Sequence, residues 1–187
     1  TVKAVKVDGA EATVDNVKAG AYKLSRPFNI ATKGEPTGLA KDFINFILSK
    51  EGQAVVTDNK YIAVNDAAES FVSDGSSGQI AVGGSSSVSP VMEKLIEAYK
   101  SVNPNASIDL QTSDSTSGMT GAMDGTFAIG MASRELKDEE AAQLTGTAIA
   151  LDGIAVIVNP ANTIDELSMD QIKSIYVGDI TDWGDLA

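Results

Sequence analysis

Three short segments of this sequence carry the residue types needed to hold an anion. They are Gly83-Gly84-Ser85-Ser86-Ser87-Val88-Ser89-Pro90, Thr112-Ser113-Asp114-Ser115-Thr116-Ser117-Gly118 and Gly130-Met131-Ala132-Ser133-Arg134. Serine and threonine hydroxyls donate to oxyanions, and glycine lets the backbone approach a ligand closely. Where such a loop opens a helix, N–H groups without intrahelical partners and about half a positive charge converge on one spot. The chemistry this pattern offers is anion binding by fixed dipoles. The competing reading is that the serines only cap helices. A single loop favours capping; three in succession, each after an expected strand, favour an anion site. Arg134 either adds a charge-assisted bond to the anion or pairs with Glu135, Asp138, Glu139 and Glu140 close by, and the second role takes precedence. No GxxxxGK[ST] sequence occurs, which argues against nucleotide hydrolysis.

Composition removes other chemistries. The 187 residues contain no His and no Cys. The commonest general base and transition-metal ligand is therefore missing, as are thiolate nucleophiles and disulfides. No Ser-x-x-Lys sequence offers a lysine base to a serine, so an enzyme is disfavoured. The acidic run at 135–140 reads as a solvated helix face, and no calcium-loop spacing appears, so neither metal nor cofactor is expected. A formal net charge of −12 disfavours a nucleic-acid partner. It leaves room for one small anion, because aligned N–H groups act locally while surface charge is screened within about 10 Å.

The elements that must position these loops follow from periodicity. Residues 1–7 alternate as a strand ended by Asp8-Gly9, and Thr13 caps a short helix that Gly20 stops. A strand is expected over 26–32. Leu39, Phe43, Ile44, Ile47 and Leu48 share one helix face. Residues 61–64 are extended, and 65–79, small and polar with Gly75-Ser76-Ser77-Gly78, read as a linker or long surface loop. Strands are then expected at 80–82, 107–110, 127–131 and 148–158, alternating with helices at 91–102, 117–123, 136–144 and 169–176. Such alternation predicts an α/β fold with a sheet flanked by helices, whose loops converge at the strand ends.

The residues also resemble a known family. GGSSSVSPVMEKLIEAYKSVNP (83–104), DSTSGMTGAMDGTFAIGMASRELKDEE (114–140), ALDGIAVIVNP (150–160) and LSMDQIKSIYVGDITDW (167–183) are similar to the first part of the phosphate-binding subunit of bacterial phosphate ABC transporters. Residues 3–53 resemble the last part of the same family. The resemblance implies a type II periplasmic-binding-protein fold with a mixed sheet, clamping inorganic phosphate between two lobes and delivering it to an ABC transporter permease without catalysis. It implies an extracellular or periplasmic location, with a membrane anchor in the full-length protein left open. Ser86 and Ser87 would be phosphate ligands from the first loop, Ser115 and Thr116 from the second. Ser133 falls where some members carry an aspartate that accepts the phosphate proton. Asp114 is a nearby substitute for it, and Ser85, Ser117 and Arg134 are secondary candidates.

The segments stand in permuted order: 1–64 resembles the family's C-terminal part and 80–187 its N-terminal part, joined by 65–79. One complete lobe is expected from about 25–64 and 80–150, with second-lobe remnants at about 1–24 and 159–187. The family's Ser-Gly-Thr helix opening does not occur in the chain. The closing half of the clamp would come from the rest of a longer chain or from another copy. Two origins fit the order: the junction of two tandem binding modules, or a permuted and shortened arrangement. Besides phosphate uptake, binding of another oxyanion such as sulfate or molybdate, or a structural or interaction domain that has lost ligand binding, fits the residues.

Overall fold

The computed structural model describes residues 1–186. In chain order the elements are β1 (Lys3–Ala4), β2 (Lys6–Val7), α1 (Val14–Lys18), β3 (Ser25–Thr32), α2 (Gly38–Leu48), α3 (Lys50–Asp58), β4 (Gly78–Ser85), α4 (Ser89–Val102), β5 (Ala106–Ser113), α5 (Ser115–Asp124), β6 (Ile129–Ala132), α6 (Asp138–Ala141), β7 (Thr145–Gly153), β8 (Ile157–Val158), β9 (Glu166–Leu167) and α7 (Met169–Val177), followed by a 3-10 turn at Trp183–Leu186. They form two compact units: Arg26–Asp152, and Thr1–Ser25 with Gly153 onward.

The Arg26–Asp152 unit is built on a five-stranded sheet in the order β5-β4-β6-β3-β7. β4 runs parallel to β5 and to β6, whereas β3 runs antiparallel to β6. The mixed sheet flanked by helices is the architecture that the α/β alternation predicts. The parallel trio brings the carboxyl ends of β4, β5 and β6 to one edge. There Ser85 lies opposite Ser113, and Gly84 opposite both Thr112 and Met131.

Helix α4 forms because Val91, Met92, Leu95, Ile96 and Tyr99 fall on one face and Pro90 sits in the first turn, where a missing N–H costs nothing. That face and the apolar face of α2 bury Phe43, Phe46, Ile47, Met92, Leu95 and Tyr99 in one core with Val82, Ile129 and Met131 of the sheet. Each large side chain so buried contributes about 1.5–3 kcal/mol.

Residues 65–77 contain neither helix nor strand, as their composition predicts, but both ends lie in the same unit. The segment runs as a strap along that one unit. Lys50 N donates to Glu69 O (2.9 Å), and Phe71 N to a Glu51 carboxylate oxygen (2.7 Å). Ser73 Oγ and Asp74 N donate to the buried Asp42 at 2.7 and 3.0 Å. The Phe71 ring meets Phe46 edge-on at 5.3 Å. Composition alone misses this because the anchors, Asp42, Glu51 and Phe46, lie on helices about twenty to thirty residues earlier.

Other expectations shift in detail. The strand expected at 80–82 extends to Gly78–Ser85, and the helix expected at 136–144 shrinks to the single turn of α6. In the other unit the expected strand 1–7 is two short pieces, each pairing separately. β1 pairs antiparallel with β8, and β2 parallel with β9. Helix α7 begins with a reciprocal Ser168/Gln171 cap and stops at Gly178, which takes the left-handed conformation. Tyr22 is buried and donates to Ile154 O (2.8 Å).

Candidate functional site

The three Ser/Gly loops lie at the shared edge of β4, β5 and β6, all within the Arg26–Asp152 unit. Glycine sets how tightly they meet. A Cβ on Gly84, whose φ is +135°, would sit 2.3 Å from Met131 O, and one on Gly118 would sit 2.7 Å from Gly84 Cα. Side chains at either position would push α5 off the sheet, so these two glycines let the helix backbone rest directly on β4 and β6. The first turn of α5 is thereby held beside the ends of both strands.

Hydrogen bonds then tie the loops together. Ser86 N donates to Ser113 O (2.9 Å), and the Ser89 and Thr112 hydroxyls meet at 2.8 Å. Ser133 N donates to Ser115 Oγ (3.1 Å), and Arg134 Nη2 reaches Thr116 Oγ1 (3.4 Å). Ser115 and Thr116 are therefore acceptors toward the β6–α6 loop. A hydroxyl that accepts in this way keeps its own proton for a further partner. Both protons are available at the N-terminus of α5, where the helix dipole favours negative charge. Ser86 is exposed and Ser87 and Ser133 are partly exposed. Their hydroxyls have no hydrogen-bond partner among the described residues.

Three candidates are placed otherwise. Asp114 is the N-cap of α5: its carboxylate accepts from Ser117 N (3.0 Å) and Ser117 Oγ (2.7 Å). These bonds, the hydroxyl's first, hold the Asp114 carboxyl below the usual aspartate range. Ser117 spends its proton on Asp114, so this pair is a helix cap. Ser85 is buried at the end of β4, and its carbonyl accepts from Val88 N and Ser89 Oγ.

Arg134 pairs with an acid from the neighbouring run, as its setting predicts. Its Nη1 and Nη2 bond the two oxygens of Glu140 at 2.7 and 2.8 Å. Glu140 departs from the solvated face expected there: it is 2% exposed, while Asp138 and Glu139 are exposed. The bonds from Arg134, then the N–H of Lys137, pull the Glu140 carboxyl down against the upward push of burial. Ser89 and Thr112 belong to the loops singled out from the sequence but not to its candidate ligands; their contact joins the first loop to the second. A cleft of about 470 Å³ lined by Lys50, Gln53, Thr57, Asp58 and Asn65 lies apart from these loops.

Comparison with known proteins gives the arrangement a context. The PBP superfamily domain matches residues 70–187. The chain is 51% identical over 189 residues to the phosphate-binding protein PstS 2 of Streptococcus agalactiae, covering 100% of this chain and 64% of that protein. It is 47% identical over 183 residues to PstS 2 of Streptococcus pneumoniae, covering 98% and 63%. A crystal structure of a phosphate ABC transporter phosphate-binding protein from S. pneumoniae superposes with a TM-score of 0.93 at 46% identity, covering 100% of this chain and 72% of that one. A Clostridium perfringens phosphate ABC transporter substrate-binding protein with bound phosphate matches 58% of the chain at 44% identity and a TM-score of 0.52. The chain thus spans a little under two thirds of the length of the streptococcal relatives. One alignment runs through all of it, so those relatives carry the same segment order, the early segment before the late one.

Proposed function

The chain belongs to the PBP superfamily, and from that premise we propose that it is the anion-holding part of an extracytoplasmic phosphate-binding protein that feeds a phosphate ABC importer. The observation that carries this reading is the pair Ser115 and Thr116. Both hydroxyls accept from the neighbouring loop and retain their protons at the opening of a ten-residue helix. Ser86, Ser87 and Ser133 supply further hydroxyls on the same edge, with Arg134 acting beside them. The names of the streptococcal relatives and of the two solved structures support phosphate as the ligand. The role is binding and delivery to a permease, without catalysis. No helix among the described residues is long and apolar enough to cross a membrane.

The relatives extend beyond the part matched here, and we assign the closing lobe of the clamp to that remainder. Phosphate binding by residues 1–187 alone is then weak, because the anion keeps one face in water and lacks half its donors. Titration of the 15N-labelled chain with phosphate tests this: the Ser86, Ser115 and Thr116 amides shift, with saturation far above the micromolar range. Submicromolar affinity by calorimetry would overturn the half-clamp reading, and unshifted loop amides would overturn the site.

One observation favours a broader oxyanion reading. Ser133 offers no carboxylate, and both oxygens of Asp114 serve the α5 cap. Donors therefore outnumber carboxylate acceptors on this edge, where each Asp114 oxygen already takes one bond from Ser117. Sulfate, which carries no proton at neutral pH, is the decisive competitor: equal or stronger shifts with sulfate would replace phosphate by fully ionised oxyanions.

A further inference from the structure

Glu140 sits behind the anion-holding edge rather than on it. Its side chain is 3% exposed, against 31% for Arg134. A carboxylate this buried needs compensation, and it receives three donors: Arg134 Nη1, Arg134 Nη2 and Lys137 N, all within 2.8 Å. The two bonds from Arg134 are side by side and fix the plane of the guanidinium. Nη1 also donates to Glu135 O (2.9 Å), and Nη2 to Thr116 Oγ1 (3.4 Å). Both terminal nitrogens therefore have two acceptors each, and the fourth acceptor is a hydroxyl of the α5 first turn.

We infer that Glu140 is a positioning residue of the anion site: it orients Arg134 so that the guanidinium donates to Thr116 Oγ1, which turns the Thr116 proton outward toward the anion. The inference rests on the anion-binding reading above. Arg134 acts here as an oriented, charge-neutralised donor rather than as a free cation. A lysine carries the charge but cannot bridge Glu140 and Thr116, since its ammonium is a point donor without the planar fork.

A purely structural role for Glu140, capping α6 through Lys137 N, makes different predictions. The test is phosphate titration of the chain by NMR, with thermal melting in parallel, on the unmodified protein and on Glu140→Gln, Arg134→Lys, Thr116→Val and Thr116→Ser. Under the proposal, Glu140→Gln and Arg134→Lys each weaken phosphate binding about tenfold and shrink the Thr116 amide shift, while the Ser86 amide still responds. Thr116→Val loses as much, and Thr116→Ser restores binding. The double variant Glu140→Gln/Arg134→Lys binds no more weakly than either single one, as expected of residues acting through one contact. A Glu140→Gln protein that melts lower but binds like the unmodified chain would overturn the inference alone. Should Glu140→Gln fail to fold, unaltered binding by Arg134→Lys or Thr116→Val overturns it equally. No phosphate response in the unmodified chain would overturn the anion-binding reading, and this inference with it.

Discussion

The two compact units bury their apolar residues to very different extents. Arg26–Asp152 encloses a continuous core under a five-stranded sheet, with Phe28, Phe43, Phe46, Met92, Leu95, Tyr99, Ile129 and Met131 all buried. The other unit has two ladders of two strands each. It buries Val5, Val7, Tyr22, Leu167 and Ile172, yet leaves Ile154, Ile157, Tyr176, Val177 and Trp183 exposed, Tyr176 at 85%. Isolated two-stranded pairs are marginal in water because so little of each strand is sheltered. A rigid edge for anion binding has to be built where the backbone is over-determined by packing, and all the candidate site residues fall in the unit that meets that condition.

Hydrogen exchange offers the largest expected contrast. Core amides of β4 and β6 should exchange at least about a thousandfold more slowly than those of β1 and β8, since local opening is easiest where few apolar contacts are lost. Equal protection would break the comparison. Next, Gly118→Val drives a side chain against Met131 O and the Gly84 backbone. It should cost about 3 kcal/mol in urea denaturation and abolish the phosphate response of the α5 amides.

Asp42→Ala comes third. Asp42 accepts from Tyr99 Oη (2.6 Å) and Ser73 Oγ, as well as from Asp74 N. Its loss leaves the buried Tyr99 hydroxyl without its acceptor, at a cost of about 2 kcal/mol, and unprotects the Asp74 amide in the strap. Acid should act on the same unit. Burial pushes the Asp42 carboxyl up, but the bonds from Tyr99, Asp74, Ser73 and Asn103 outweigh it and hold the group below its ordinary value. Glu140 is also held low. The unfolded chain then binds more protons than the folded one between the folded and unfolded pKa values. Stability contributed by both groups is present above roughly pH 4 and is lost as pH falls through the folded values. Glu140→Gln should flatten part of that acid slope in pH-dependent melts; an unchanged slope would exclude Glu140 from it. The smallest effect is expected in the other unit. Lys3 pairs with Asp165 at 2.8 Å, but Asp165 is 87% exposed, so Lys3→Ala should leave the melting curve within the scatter of replicates.

Much of this was legible in the sequence because it depends on neighbours along the chain. The faces of α2 and α4, the Thr13 cap, the stop near Gly20 and the strand–loop–helix repeats follow from local patterns. The strap at 65–77 was legible only as irregular. Its attachment depends on Asp42, about thirty residues away, and on the burial of a charge that composition reads as surface. Glu140 was misread for the same reason: in a run of four acids, nothing local marks the one that turns inward.

The sequence by itself determined the materials of the site: three hydroxyl-bearing loops after strands, glycines where a backbone must pass closely, one arginine, and neither histidine nor cysteine. Tertiary structure decided which of those hydroxyls are left with a proton to donate. Ser115 and Thr116 accept from residues eighteen positions onward, whereas Ser117 spends its proton on Asp114 three positions back. The direction of a hydroxyl proton is set by whichever donor or acceptor is nearest in space, and for the first two residues that partner arrives only when β6 is laid beside β4.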